Sequence, residues 1–163
     1  MIFRPVFALW CSILFPATAT AQLDTPTVRI RHGATCDTSV TLEFLKGLTH
    51  HAATIKSHDG VEATYEGAWL KDVLRASCGS IAAIEKRTMV NTYVRIGAGD
   101  GYTAGIALTE ADSSFLERPV ILAWMRNGQP LDDHDGPLQL IIPDDMRHAR
   151  DVRHVAVLEV IMP

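Results

Sequence analysis

Four consecutive ionisable residues, Asp132, Asp133, His134 and Asp135, place carboxylate oxygens and an imidazole within one short segment. Hard oxygen donors with imidazole could bind a divalent cation. The spacing matches no calcium loop, however, and zinc would want further nitrogen or sulfur ligands. The cluster lies between Asn127-Gly128, a strong hairpin signal, and the apolar run 138–142, so a solvated loop is the expectation. His50, His51 and His58 raise the same question. Adjacent histidines on an extended segment point to opposite faces, so His50 and His51 are poorly placed to share an ion. A pair made by His51 and His58, the latter in an expected turn, is the alternative to a surface reading.

Two further groups suit ligand binding. Asp100-Gly101-Tyr102 joins a glycine, which lets backbone approach a ligand, to a flat ring with a hydrogen-bonding tip. The competing reading is a hairpin turn with a core aromatic. Arg147 and Arg150 bracket His148 and could hold a phosphate or carboxylate bidentately, or could pair on the surface with Asp144, Asp145 or Asp151. No Ser-His-Asp set with an elbow motif is present. Gly97-x-Gly99-x-Gly101 joins two expected strands, so a dinucleotide-binding reading fails on context.

The elements that must position these residues are short. Residues 27–31 alternate as a strand. Thr38 is expected to cap a helix carrying Val40, Leu42, Phe44, Leu45 and Leu48. Segments 52–56 and 61–65 read as strands around the turn 57–60. Trp69, Leu70, Val73 and Leu74 form one helical face, with Lys71, Asp72 and Arg75 on the other and Gly79 as the stop. Strands are expected at 90–96, 102–108, 119–125, 138–142 and 152–161, with a short helical turn capped by Thr109. Trp69 and Trp124 are expected in the core. Short helices early and strands late describe an α+β domain around a mixed or antiparallel sheet.

The first residues have the form of an exported protein's leader: one early arginine, a short apolar run and Ala19-Thr20-Ala21. Residues 1–21 are therefore read as a signal peptide cut before Gln22, leaving 22–163 as one domain, periplasmic or secreted. The apolar run is too short for stable membrane insertion. The formal net charge is −4 with no basic stripe, which argues against nucleic acid as a partner. Cys36 and Cys78 remain after cleavage, and an even pair in an oxidising compartment points to a disulfide. Closing that loop is worth about 4 kcal/mol in the chain-entropy model. A reactive or metal-binding thiol is the alternative.

Tyr65-Glu66-Gly67-Ala68-Trp69-Leu70-Lys71-Asp72-Val73-Leu74, Asp100-Gly101-Tyr102 and Arg118-Pro119-Val120-Ile121-Leu122-Ala123 occur in that order. They are followed by Asn127-Gly128-Gln129-Pro130-Leu131, Gly136-Pro137-Leu138, Ile142-Pro143 and Val152-Arg153-His154-Val155. This succession resembles the sulfite-oxidase-type molybdopterin-binding domain, in its small, exported, single-domain branch. The resemblance implies that fold and an oxidoreductase ancestry, with molybdopterin as the cofactor to consider. It also implies a pocket beside the Gly136-Pro137 shoulder. In catalytic members a cysteine thiolate binds molybdenum from the segment between the first helix and the aromatic-x-Gly motif. Here that segment, 49–60, has no cysteine. Gln139 stands where catalytic relatives commonly carry arginine, which removes a charge-assisted contact.

The expectation is therefore a small-ligand-binding, accessory or sensor domain without molybdenum–thiolate chemistry and with no catalytic residue assigned. Asp100, Tyr102, Gly136, Arg147 and Arg150 would take a small anionic or pterin-like ligand, or serve a periplasmic protein partner. No resident metal is expected. A molybdenum-cofactor-dependent oxidoreductase is the first alternative, and a divalent-metal-binding periplasmic protein the second.

Overall fold

The computed structural model describes residues 25–56 and 60–163; the expected signal peptide and His58 lie outside them. Strands β1 (Thr27–His32) and β2 (Cys36–Thr41) form a hairpin, and the helix α1 (Leu42–Lys46) follows directly. The helix expected from Thr38 is thus a strand for its first half. The run Cys36-Asp37-Thr38-Ser39-Val40-Thr41 is rich in β-branched residues, and Val40 lies opposite Val28. Strand pairing outweighs the capping signal there. Thr41 is the N-cap instead, its hydroxyl accepting the Phe44 N–H at 3.2 Å.

Strand β3 (His51–Lys56) pairs with β4 (Glu62–Trp69), and α2 (Leu70–Ser77) starts where β4 stops. Trp69 therefore ends a strand rather than joining the helical face; it is half-buried outside the main core. Gly79 does not end α2 alone, because it begins a further turn, α3 (Gly79–Ala82), before α4 (Lys86–Met89). Lys71 is not solvated as expected. Its ammonium lies 2.7 Å from the buried Asp112 carboxylate. Burial pushes the Asp112 carboxyl up, but Lys71 and the Ser114 N–H outweigh it and hold the group below the usual range.

Strands β5 (Tyr93–Ala98) and β6 (Thr103–Ala107) flank the glycine-rich turn, and a 3₁₀ turn follows at Leu108–Ala111. Its first free N–H, at Ala107, is taken by the Glu110 carboxylate at 2.9 Å, not by Thr109. Strand β7 (Ile121–Arg126) turns at Asn127 and Gly128, both at positive φ, into β8 (Gln129–Pro130). That is the geometry the Asn-Gly pair favours. Strand β9 (Gln139–Ile141), a 3₁₀ turn at His148–Arg150 and β10 (Val155–Ile161) complete the chain.

Two five-stranded sheets result. One runs β2-β1-β10-β5-β6, with β1 and β10 parallel; the other runs β3-β4-β7-β8, with β9 on β7. The mixed sheet, helix α2 and one face of the antiparallel sheet share the main core, built from Ile30, Leu74, Ile96, Leu122, Leu140 and Leu158 among others. A smaller apolar group, Ile55, Ala63, Tyr65, Ile121, Ala123 and Ile141, covers the opposite face of the antiparallel sheet. Cys36 and Cys78 are joined as a disulfide, tying β2 to the end of α2.

Candidate functional site

Pleating sends successive side chains of a strand to opposite faces. In β7, Leu122 and Trp124 enter the main core while Ile121 and Ala123 join the smaller cluster; in β9, Leu140 and Ile141 divide the same way. By that alternation Gln139 shares a face with Ile141. This face opens onto a cleft of about 540 Å³ floored by Ile55, Tyr65 and Gln139.

The β5–β6 turn forms one wall. Asp100 accepts the Tyr102 N–H at 2.9 Å, and the Tyr102 hydroxyl donates to the Ala149 carbonyl. The ring thus braces the turn against the His148–Arg150 segment. Gly101, at φ 91°, makes the tight reversal.

Asp135 forms a second wall. It is only 5% exposed, although its neighbours Asp132, Asp133 and His134 are on the surface. The solvated-loop expectation therefore fails at this residue. Arg153 Nε lies 2.8 Å from Asp135 Oδ1, and Arg126 lies 3.4 Å from Oδ2. Two guanidinium groups compensate the desolvation of one carboxylate. Arg126 also stands 5.6 Å from the centre of the Tyr65 ring. Gly136 lets the loop close: a Cβ there would sit 2.8 Å from Leu131 Cβ.

His148 and Asp151 line the remaining side. His148 Nε2 must carry a proton, because it donates to the Lys56 carbonyl at 2.7 Å. Its Nδ1 is 3.0 Å from Asp151 Oδ2 yet off the line of a good hydrogen bond, so the contact is chiefly Coulombic. With Nε2 committed, this contact is favourable when one proton lies between the two groups. Asp151 Oδ1 accepts the Ile142 N–H at 2.9 Å. Burial pushes the Asp151 carboxyl up to about 6 against the opposing pull of that N–H and of His148.

Gln139 Oε1 is the outlier. It is buried on the cleft floor and has no hydrogen-bond partner among the described residues. An acceptor left so costs roughly 1–3 kcal/mol.

Of the residues singled out from sequence, Asp100 and Tyr102 line the cleft and Gly136 adjoins it through Asp135. Arg147 and Arg150 are not part of the lining. Arg150 is held by Asp145 at 2.6 Å and by Glu110 at 3.1 Å; Arg147 is exposed. His50 donates to the Lys46 carbonyl and meets Trp124 edge-on, whereas His51 stacks on Trp69 at 3.7 Å, so the two do not converge. Asp132, His134 and Asp135 present ligand atoms within 4.8 Å of one another. Asp132 Oδ1 already accepts the N–H groups of His134 and Asp135, which hold its carboxyl below the usual range. Sequence reasoning missed Tyr65, Arg126, Asp135, Asp151 and Arg153 as parts of one site. A glutamine inside the apolar run 138–142 was the available signal.

The family model of the oxidoreductase molybdopterin-binding domain matches residues 18–162. The chain belongs to this family. Among solved structures, the sulfane dehydrogenase SoxCD from Paracoccus pantotrophus is similar, with a TM-score of 0.61 at 15% identity. The match covers 82% of this chain and 37% of that one, so the chain spans little more than a third of SoxCD's length. At such identity the likeness concerns the sulfite-oxidase-type fold alone. No curated protein matches the chain. Against the family's cofactor, the described lining offers no sulfur ligand, and residues 49–60 contain no cysteine. Its two arginines are already engaged by Asp135.

Proposed function

We propose that this member of the molybdopterin-binding family is an exported small-ligand-binding domain that does not hold molybdenum through a protein thiolate. One observation carries the reading: the cleft keeps a buried, unpartnered acceptor in Gln139, while its wall supplies no thiol. The sulfite-oxidase-type centre that the resemblance implies takes a soft anionic sulfur from the protein, which helps hold the metal and sets its electronics. Carboxylate, imidazole and amide are not equivalent to it. The residues present therefore do not fit a thiolate-anchored centre, and no chemical step is assigned to it. The Cys36–Cys78 bridge suits an oxidising compartment and supports export.

The test is metal and pterin analysis of protein produced in a molybdate-replete host that makes the cofactor, with sequencing of the mature N-terminus. The expected result is a chain beginning at Gln22 with molybdenum far below one atom per chain. One molybdenum per chain overturns the reading in favour of a sulfite-oxidase-type enzyme.

A further inference from the structure

We propose that the cleft selects a small ligand that donates hydrogen bonds and carries no negative charge, such as an amidine or guanidine, rather than an oxyanion. This rests on the cleft being a ligand site, as above, and names the ligand's chemistry. Gln139 Oε1, buried and without a partner, can only accept, so a group bound there must present N–H or O–H.

The charges facing the cleft agree. Arg126 and Arg153 bring two positive charges; both contact Asp135, whose single negative charge offsets one of them. Asp100 adds a further carboxylate from the β5–β6 turn. The Asp151 carboxyl, pushed up to about 6 by burial, is neutral while it holds its proton and negative once that proton leaves. With Asp151 ionised, the two arginines of the lining face three carboxylates, those of Asp100, Asp135 and Asp151, and the cleft is net negative. Asp145, which also acts on Asp151, is itself paired with Arg150, and Tyr65 supplies a flat apolar ring below. An oxyanion would meet Asp100 and Asp151, whose two charges outnumber the one positive charge that Asp135 leaves on the arginines. A planar cation would meet an open acceptor, a ring face and two carboxylates.

Titration of ¹⁵N-labelled mature protein with methylguanidinium chloride, and separately with sodium sulfate, tests this. Methylguanidinium should shift the Gln139 side-chain amide saturably, and sulfate should neither shift it nor compete. Affinity for methylguanidinium should rise between pH 5 and pH 7 as the Asp151 carboxyl beside His148 loses its proton. Gln139→Met, close in volume, should weaken binding about tenfold, the loss of roughly one hydrogen bond. If that variant folds poorly, the pH dependence of the unaltered protein decides. Sulfate seated in the cleft would overturn the ligand class while leaving the binding-domain reading intact. An unmoved Gln139 amide throughout the methylguanidinium titration would overturn it equally. Molybdenum bound stoichiometrically is read separately and sinks the broader proposal.

Discussion

The two faces of the antiparallel sheet are made by the same strands and obey different rules. One face, with Leu122, Trp124 and Leu140, closes against the mixed sheet and α2 into an apolar core. The other, with Ile121, Ala123 and Ile141, supports a cleft rimmed by three aspartates, two arginines and a histidine. Each strand thus carries a core-facing side and a cleft-facing side one residue apart. The closed side is packed against the mixed sheet and α2, whereas the open side holds an amide oxygen with no partner among the described residues and a carboxyl pushed up to about 6. Closed core and open cleft are separated by pleat rather than by domain.

The largest effect that would break this arrangement lies at Gly67, where β4 changes register against β7. A Cβ built there would be 2.0 Å from the Leu122 carbonyl oxygen and 2.6 Å from Ala123 Cα. Both obstacles are backbone, so no side chain can move aside. Gly67→Ala should therefore push β7 off β4 and disturb both faces together, costing at least about 4 kcal/mol. Urea unfolding gives the measurement. A midpoint close to that of the unaltered protein would show that the two strands are less tightly matched than described.

A smaller effect separates the faces. Asp135→Ala removes the carboxylate that holds Arg126 and Arg153, while both arginines keep access to water. Stability should fall by about 2 kcal/mol, below the range for a pair buried on both sides. The cleft should lose one negative charge and both arginines should be freed, so sulfate should now bind where the unaltered protein is expected to refuse it. Calorimetry with sodium sulfate at low ionic strength checks this. Failure of the variant to take up sulfate would mean that the arginines are not what Asp135 neutralises.

The closed face was legible in the sequence because apolar periodicity reports burial. Val28 and Ile30, Val73 and Leu74, and the runs around Leu122 and Leu140 all fall where alternation or helical spacing places them. The Asn127-Gly128 hairpin and the pairing of Cys36 with Cys78 were equally readable. The boundaries at Thr38 and Trp69 were not, since pairing with distant strands overrode a local capping or helical signal. The cleft was legible only in fragments. Asp100 and Tyr102 could be suspected from glycine-rich context, but a buried aspartate looks like a solvated one until its arginines are found in space. Asp135 meets Arg126 across a hairpin and Arg153 from the approach to β10, contacts that no local pattern encodes. Arg147 and Arg150 show the converse: sequence proximity to His148 does not bring them into the lining of the cleft that His148 lines.

The smallest change sharpens the contrast most. Asp151 is a carboxyl whose folded value, about 6, lies above the ordinary 3.8. The folded chain therefore holds this proton more tightly than the unfolded chain does. Its contribution to stability is fully present below about pH 4 and is lost as pH rises through 6. Asp151→Asn keeps an oxygen for the Ile142 N–H and offers His148 Nδ1 a permanent N–H donor, with no charge to bury. The variant should match the unaltered protein near pH 4, gain on it between pH 4 and 6, and exceed it by about 3 kcal/mol above pH 6. Thermal unfolding at pH 4.5 and pH 7.5 reads the difference. Methylguanidinium binding should meanwhile weaken and lose its pH dependence, so the residue that destabilises the fold at neutral pH is the one that strengthens the cleft's hold on a cation. The same difference between the variant and the unaltered protein at both pH values would mean that water already solvates Asp151, and the cleft would then owe its selectivity to Gln139, Asp100 and the Tyr65 ring.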